Sequence, residues 1–452
     1  MATVTSFLIV LLCGIAGTTL AAYCSGGPSP HAVRNTNPVF KGEPRFVKQV
    51  KNGKLFIAGE AQSAFPVVHV WGTPYEMGYA HGLLMKDKAR QFMDSVWDFL
   101  VDEAYKGING SVPCWFKSWF IKDIATLGLT AALDLEIRLT KRYTGDYFYE
   151  EAQGLADATG VDLMKILRIH MIGELTKGDC SMLGAWGDAV ADNGPLLQLR
   201  ALDWNTDGPF KDYPQVTVYH PNRCKSKHHR HKQDNGVAFA NIGWTGWIGS
   251  ITGFNSKQIA ISEIGVSFPD KSFGTESRFG VPFTFLLRDV LQFDRTLNDS
   301  LARMKNSRRT CNLILGVGDA KCDEFRAIQY SHSVANFYTD KNMQPATHWH
   351  PRINNVVYYG MDWLCPTYDY VMARQLIFNN GKLTAETIME DIVSIVQTGS
   401  LHIAVYDLGN DNVYIANARG TEESGPLNAY DRTFVRLSAS SLFSVRKPYT
   451  PH

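Results

Sequence analysis

The sequence predicts an α+β protein whose sheets are covered by helices. Three features lead there. Apolar residues recur at three- and four-residue steps between about residues 75 and 173. From Cys180 onward the pattern changes to short β-rich runs bounded by Gly, Pro, Asn or Asp. Helical spacing then returns after residue 280, which argues against both a β-sandwich and a helical bundle.

Along the chain, 75–103 and 115–143 are expected as long helices, and Asp162 is a candidate N-cap for a third over 163–172. Strands are expected at 196–200, 215–219, 237–241, 258–262 and 402–406. Later helices are expected at 282–293, 297–304, 370–378 and 385–398. No internal repeat or low-complexity linker interrupts this order. The run 225–232, with His228, His229, Arg230 and His231, reads as an exposed basic loop. No Cys, Asp or Glu stands at metal-ligand spacing from these histidines, so no metal site is expected.

Residues 1–22 read as a secretory signal peptide. The apolar run 7–16 is shorter than the roughly 20 residues that span a bilayer, and it exits through small residues to Ala21 and Ala22. A retained membrane anchor is the alternative reading. No other stretch is long and apolar enough to span. With 45 basic and 44 acidic residues the net charge is +1, which gives no electrostatic reason to expect nucleic acid as a partner.

The cysteine count agrees with an oxidising compartment. Of eight cysteines, Cys13 leaves with the signal, so seven remain: Cys24, Cys114, Cys180, Cys224, Cys311, Cys322 and Cys365. Setting one aside as a free nucleophile leaves an even six. Cys311 and Cys322 flank a strand–turn pattern and are the first expected pair. Asn109-Gly-Ser and Asn298-Asp-Ser are sequons, expected to carry glycans on a secreted chain.

Cys180 follows a Gly178-Asp179 turn and opens a strand. Ala191-Asp-Asn-Gly194 is a hairpin signal, and the returning strand carries Arg200 and Asp203. A turn centred on Asp192-Asn193 makes Cys180 face about residue 205, and one centred on Asn193-Gly194 about residue 207. Asp203 then lies about 7–13 Å along the strand from that point. A thiol, a carboxylate and a guanidinium at one hairpin end suit amide chemistry. Cys180 attacks the preceding carbonyl, water resolves the thioester, and the freed α-amine becomes general base for its own thiol. Asp203 would hold the α-ammonium or the scissile carbonyl in place, and Arg200 would fix Asp203 or a substrate carbonyl. A disulfide cysteine beside an ordinary Arg200–Asp203 ion pair is the competing reading.

At these residues the sequence resembles the N-terminal-nucleophile (Ntn) amidohydrolases. The nearest likeness is to the acyl-CoA:6-aminopenicillanic acid acyltransferase group, with acid ceramidase and bile-salt hydrolase as distant kin. The shared pattern is a cysteine opening the mature β-subunit, followed by Arg-x-x-Asp, here Cys180, Arg200 and Asp203. The run 71–82 (Trp-Gly-Thr-Pro-Tyr-Glu-Met-Gly-Tyr-Ala-His-Gly) is similar to a propeptide signature that ends in His81-Gly82. The run 252–260 is similar to a Gly-x-Asn strand turn. The run 311–319 resembles the segment whose asparagine supplies an oxyanion hole, which implies that role for Asn312; Arg374 falls where a late arginine is expected. One departure is Asp179, where the penicillin acyltransferase has glycine before its scissile bond.

The resemblance implies an αββα four-layer sandwich, with two antiparallel sheets between helical layers. It divides the chain into a signal (1–22), a mostly helical N-terminal subunit (23–179) and a β-subunit (180–452) that begins at the nucleophile. Asn241 is expected as a second oxyanion or substrate contact. Trp244 and Trp247 are candidates for the wall of an acyl pocket, although aromatics at this spacing more often belong simply to the core. His81 is expected to be a packing or hydrogen-bonding histidine. The expected activity is hydrolysis of a small N-acyl amide or lipid-like substrate without a cofactor, after cleavage between Asp179 and Cys180. The processed chains are expected to stay associated, and the protein to be secreted or lysosomal. Acyl transfer to an amine or CoA is the runner-up, since the same thioester serves it. A phospholipase-type esterase and a non-catalytic secreted binding protein stand as alternatives. A papain-like protease does not fit, because the Cys180 context lacks its Cys–His pair.

Overall fold

A computed structural model describes residues 27–108, 117–175, 179–222, 236–266, 269–360 and 368–449. Residues 45–72, upstream of the first expected helix, form three strands, β1 (Arg45–Val50), β2 (Gly53–Ala58) and β3 (Phe65–Gly72). α1 (Pro74–Ile108) follows, kinked at Met85. Its start explains the 71–82 motif. Thr73 N–H donates to Glu76 Oε2 (2.9 Å) and Glu76 N–H donates to Thr73 Oγ1 (3.3 Å), a capping box with Pro74 in the first helical turn.

The expected helix 115–143 is two helices, α2 (Ser118–Leu127) and α3 (Leu129–Lys141). They are broken at Gly128, whose φ of 82° no helix accommodates. α4 (Asp146–Thr159) packs along α1. Gly78 and Gly154 allow the close approach: a Cβ at Gly78 would strike the Glu151 carbonyl, and one at Gly154 the Tyr75 carbonyl. α5 (Leu163–His170) begins as expected, with Asp162 Oδ1 accepting from Lys165 N–H (2.9 Å), and α6 (Ile172–Leu175) continues it.

The strand-rich half then runs β4 (Asp179–Ala185), β5 (Leu197–Asp203), β6 (Pro214–Pro221), β7 (Phe239–Trp244), β8 (Gly253–Asn255) and β9 (Ile259–Gly265). After α7 (Phe283–Phe293) and α8 (Leu297–Asn306) come β10 (Leu313–Asp319), β11 (Glu324–Tyr330), β12 (Ala335–Tyr338) and β13 (Val356–Tyr359). α9 (Tyr368–Phe378) leads to a last helical stretch, Ala385–Thr387, a π segment Ile388–Val393, and Ser394–Val396, together α10. The chain closes with β14 (His402–Asp407), β15 (Asn412–Asn417) and β16 (Val435–Ser438).

Among the described residues one sheet has ten strands in the order β1-β2-β3-β6-β7-β8-β9-β10-β11-β12; the other has six, β13-β4-β5-β14-β15-β16. Every pairing is antiparallel except β3–β6. The sheets face each other through an apolar layer that includes Val67, Val216, Val218, Val413, Ile415 and Val435. Gly184 of β4 lets the Phe325 ring of β11 lie against it. α1 and α7 cover the outer face of the large sheet, and α10 covers the small one. The fold is the expected αββα arrangement. The region before Cys180 adds three strands to the large sheet, whose hydrogen bonds with β6 tie it to the downstream half. Among the described residues no helix is long and apolar enough to cross a membrane.

Candidate active site

β4 and β5 pair as a hairpin, but the Asp-Asn-Gly run is not a two-residue turn. Two 3-10 turns, Gly187–Ala189 and Ala191–Asn193, fill the connection, with Asp192 and Asn193 both at positive φ (57° and 52°). The register shifts accordingly. Cys180 faces Leu202, not residue 205 or 207, and Asp179 faces Asp203. Asp203 thus stands one residue, about 3.3 Å, from the point opposite Cys180, closer than the turn signal implied.

Side-chain alternation puts these residues on two faces of the strand pair. Cys180 and Arg200 turn toward the large sheet. There Arg200 donates through Nη2 to Glu263 Oε2 of β9 (3.1 Å) and through Nη1 to the Ala201 carbonyl (2.8 Å). Asp203 turns toward the end of α10. Its Oδ1 accepts from Gly399 N–H and Ser400 N–H (both 2.9 Å), and Thr398 Oγ1 lies 2.7 Å from both Asp203 Oδ2 and Ser181 Oγ. The anticipated contact of Arg200 with Asp203 is therefore replaced by Arg200–Glu263. The signal for Glu263 was a carboxylate in the middle of the apolar run 259–264.

Cys180 lies on the wall of a cavity of about 700 Å³ including its mouth. Trp204, Phe210, Trp244, Trp247 and Phe283 make much of the wall aromatic, and Glu263 and Asn312 also line it. Burial pushes the Cys180 thiol up to about 12; Arg200 opposes this, while Glu263 and Asp203 reinforce it. Burial therefore outweighs the neighbouring guanidinium and keeps the thiol protonated at neutral pH. Burial likewise raises the carboxyls of Asp203 and Glu263. The Thr398, Ser400 and Gly399 donors pull Asp203 back down, and Arg200 pulls Glu263 back.

The tryptophans sit in a wall braced by two histidines from the upstream half. His170 Nε2 accepts from Ile248 N–H (2.9 Å) while Nδ1 meets the Ile166 carbonyl (2.7 Å), and the ring stacks on Trp247. His81 Nε2 accepts from Gly246 N–H (3.1 Å). Burial lowers both rings to about 4, which keeps them neutral and able to accept. His81 is thus a hydrogen-bonding histidine behind the wall.

Three expectations are corrected. Asn241 does not line the cavity; its side chain donates to the Gly249 carbonyl (2.8 Å) and so braces the same wall from behind. Arg374 is on the exposed side of α9, with its guanidinium over Tyr370, away from the cavity. Cys311 and Cys322 are both free thiols. β10 runs extended between them, with Cys322 in the turn to β11 and Cys311 at the opposite strand end, far beyond disulfide reach. Cys311 is buried and lines the cavity. Asn298 is exposed in the first turn of α8, with Ser300 of its sequon buried. The signal peptide, Asn109, Cys24, Cys114, Cys224, Cys365 and the loop 225–232 lie outside the described residues.

No family model matches the chain. It is 33% identical over 426 residues to Protein dcd1B of Dictyostelium discoideum, covering 92% of this chain and 82% of that one. To Protein dcd1A of the same organism it is 32% identical over 457 residues, covering 97% and 98%. Among solved structures it is similar to a Caenorhabditis elegans N-acylethanolamine-hydrolyzing acid amidase ortholog, with 14% identity and a TM-score of 0.36, over 51% of this chain and 93% of that one. It is also similar to a C2A mutant of the conjugated bile acid hydrolase of Clostridium perfringens, with 11% identity and a TM-score of 0.34, over 57% and 96%.

Proposed function

The chain belongs to the family of the Dictyostelium dcd1 proteins, and we propose that it is an autoprocessing Ntn amidohydrolase that cleaves the linear amide of an N-acyl substrate, with Cys180 as nucleophile. The observation that carries this reading is the cavity: a buried thiol at the start of β4, with Arg200 beside it, Asn312 on the same wall and aromatic rings around them.

In the first step Cys180 Sγ attacks the Asp179 carbonyl carbon and the amide nitrogen leaves as the Cys180 α-amine. Water then hydrolyses the thioester to the Asp179 carboxylate. A thiol near 12 is a poor nucleophile in the uncut chain. The new α-amine, with an ordinary pKa near 8, supplies the base that the thiol lacked. Asp203, held by the Thr398–Ser400 donors and in register with Asp179, would orient that amine. In turnover the thiolate attacks the substrate carbonyl, and the Asn312 amide stabilises the oxyanion. The α-ammonium then gives its proton to the departing amine, and water releases the carboxylic acid.

Lys117, Ile172 and Gly173 line the cavity from upstream of the scissile bond, and β1–β3 belong to the large sheet. Both facts support association of the two halves after cleavage. Residues 1–22 support secretion or delivery to the lysosome. Transfer of the acyl group to an amine or CoA would use the same intermediate.

The test is to express the full chain in a secretory host and sequence the fragments from a denaturing gel. The expected result is a fragment beginning at Cys180, absent in Cys180→Ala, together with release of fatty acid from an N-acyl amide. A single uncut chain with Cys180 in a disulfide would overturn the reading.

A further inference from the structure

The cavity wall carries a cation, Lys117, that the amide chemistry does not use. Lys117 lines it beside Cys311 and Asn312. Its side chain is 11% exposed, and its Nζ donates to Glu276 Oε1 (2.9 Å). That same oxygen also accepts the Asn312 N–H (3.1 Å). An ammonium has three N–H donors, and Glu276 is the one acceptor found for this one among the described residues. Asn312 Oδ1 is buried nearby without a partner. Glu174 lies behind, its Oε1 already accepting from Phe283 N–H (2.5 Å) and the Cys311 thiol (3.8 Å). The charge of Lys117 is held by the neighbouring acids, but an ammonium that gives one donor to Glu276, on the wall of a cavity otherwise rich in aromatic rings, has donors left for acceptors that a ligand brings.

We infer that Lys117 is the recognition residue for a carboxylate on the leaving amine, so that the preferred substrates are N-acyl amino acids. The inference rests on the amidohydrolase reading above and adds the amine side of the substrate. The aromatic wall takes the acyl chain, Cys180 meets the amide, and the carboxylate fills the donors of Lys117. A carboxylate offers two acceptor oxygens and a charge, whereas a hydroxyl offers one neutral oxygen. Glu276 has a side chain 30% exposed and can yield to it. Lys117 stays charged: burial works against it, but Cys311, Glu276 and Glu174 hold it above the ordinary lysine range.

Two measurements test this, the first on the full-length processed protein and the second on the uncut Cys180→Ala chain. The first compares kcat/KM for dodecanoyl-glycine and dodecanoyl-ethanolamide, which share an acyl chain. The wild type is expected to favour the glycine conjugate by about tenfold or more, as a charge-assisted contact allows. Lys117→Gln should bring the ratio to within about twofold, chiefly through KM, and Lys117→Arg should keep the preference. Equal or better use of the ethanolamide by the wild type, or an unchanged ratio in Lys117→Gln, overturns the inference. The second is calorimetric binding of dodecanoyl-glycine to the inert Cys180→Ala chain. Binding that weakens about tenfold on adding Lys117→Gln supports the subsite even if the wild type turns nothing over, in which case only the amidohydrolase reading fails. Binding indifferent to Lys117, beside active ethanolamide hydrolysis, sinks the subsite and leaves that reading standing.

Discussion

At the scale of the residue, Asp203 shows how buried charge is held at the site. Its carboxylate is buried and accepts two backbone N–H groups and lies 2.7 Å from the Thr398 hydroxyl. Thr398→Val removes that hydroxyl at nearly constant volume, leaving a buried acceptor short of one donor, at a cost of about 1–3 kcal/mol. The sign with pH follows from the raised Asp203 pKa, which the lost donor raises further. A carboxyl raised in the folded state favours folding when protonated and loses that advantage as pH rises through its folded pKa. The variant should therefore trail the wild type more at pH 7 than at pH 4 in chemical denaturation, and Thr398→Ser should recover most of the gap. A gap independent of pH would mean that the threonine contributes packing alone. Cys180, Arg200 and Asp203 were legible in the sequence because one hairpin brings them together. Lys117 and Thr398 were not, because each arrives from a separate element through non-local packing, and Glu263 was marked only as a carboxylate in an apolar run, with nothing to name Arg200 as its partner. Nothing local marks a lysine at 117 or a threonine at 398 as a neighbour of Cys180.

At the scale of the element, the sequence located strands and helices well where one periodicity ran uninterrupted. β5, β6, β9 and β14 lie within a few residues of their expected positions, and α7 and α8 start within one. It was blind where an element depends on its neighbour. β1–β3 precede the helical region and owe their place to pairing with one another and with β6. α4 fell inside the helical region but was not expected as a separate helix, and its close fit to α1 depends on Gly78 and Gly154. At that contact each missing side chain makes room for the other helix's backbone. Gly154→Ala tests it. Alanine has the better helix propensity by about 1 kcal/mol, but its methyl would force the two backbones apart, an overpacking cost of about 1–3 kcal/mol. Net destabilisation in urea is expected. A stabilised variant would show that the helices separate freely and that propensity decides this contact.

At the scale of the whole molecule, the buried histidines set the response to acid. Burial lowers His69 to about 3 and His81, His170 and His220 to about 4, and carries His402 well below its ordinary value. Each stays neutral in the fold while the unfolded chain takes up a proton below about pH 6.5. Each therefore withdraws stability as pH falls from there toward its folded pKa, by up to about 1.4 kcal/mol per pH unit. Buried acids work the other way. Burial raises Asp294 to about 6 and also raises Glu151, Glu174 and Glu263, so the folded chain takes up these protons first and gains stability as pH falls. Between about pH 4 and 6 the two sets oppose each other. His69 isolates one side of that balance. It lies 3.2 Å from His220 through Nδ1, and its ring lies between Phe56 and Trp71, so a phenyl ring can take its place. His69→Phe should flatten the fall in unfolding free energy between pH 6.5 and 4.5 by about 1.4 kcal/mol per pH unit. His220, less deeply buried than His69, can turn to water for the lost hydrogen bond. Parallel curves for the two proteins would mean that His69 is already protonated in the fold, and the acid response would then have to come from the other four.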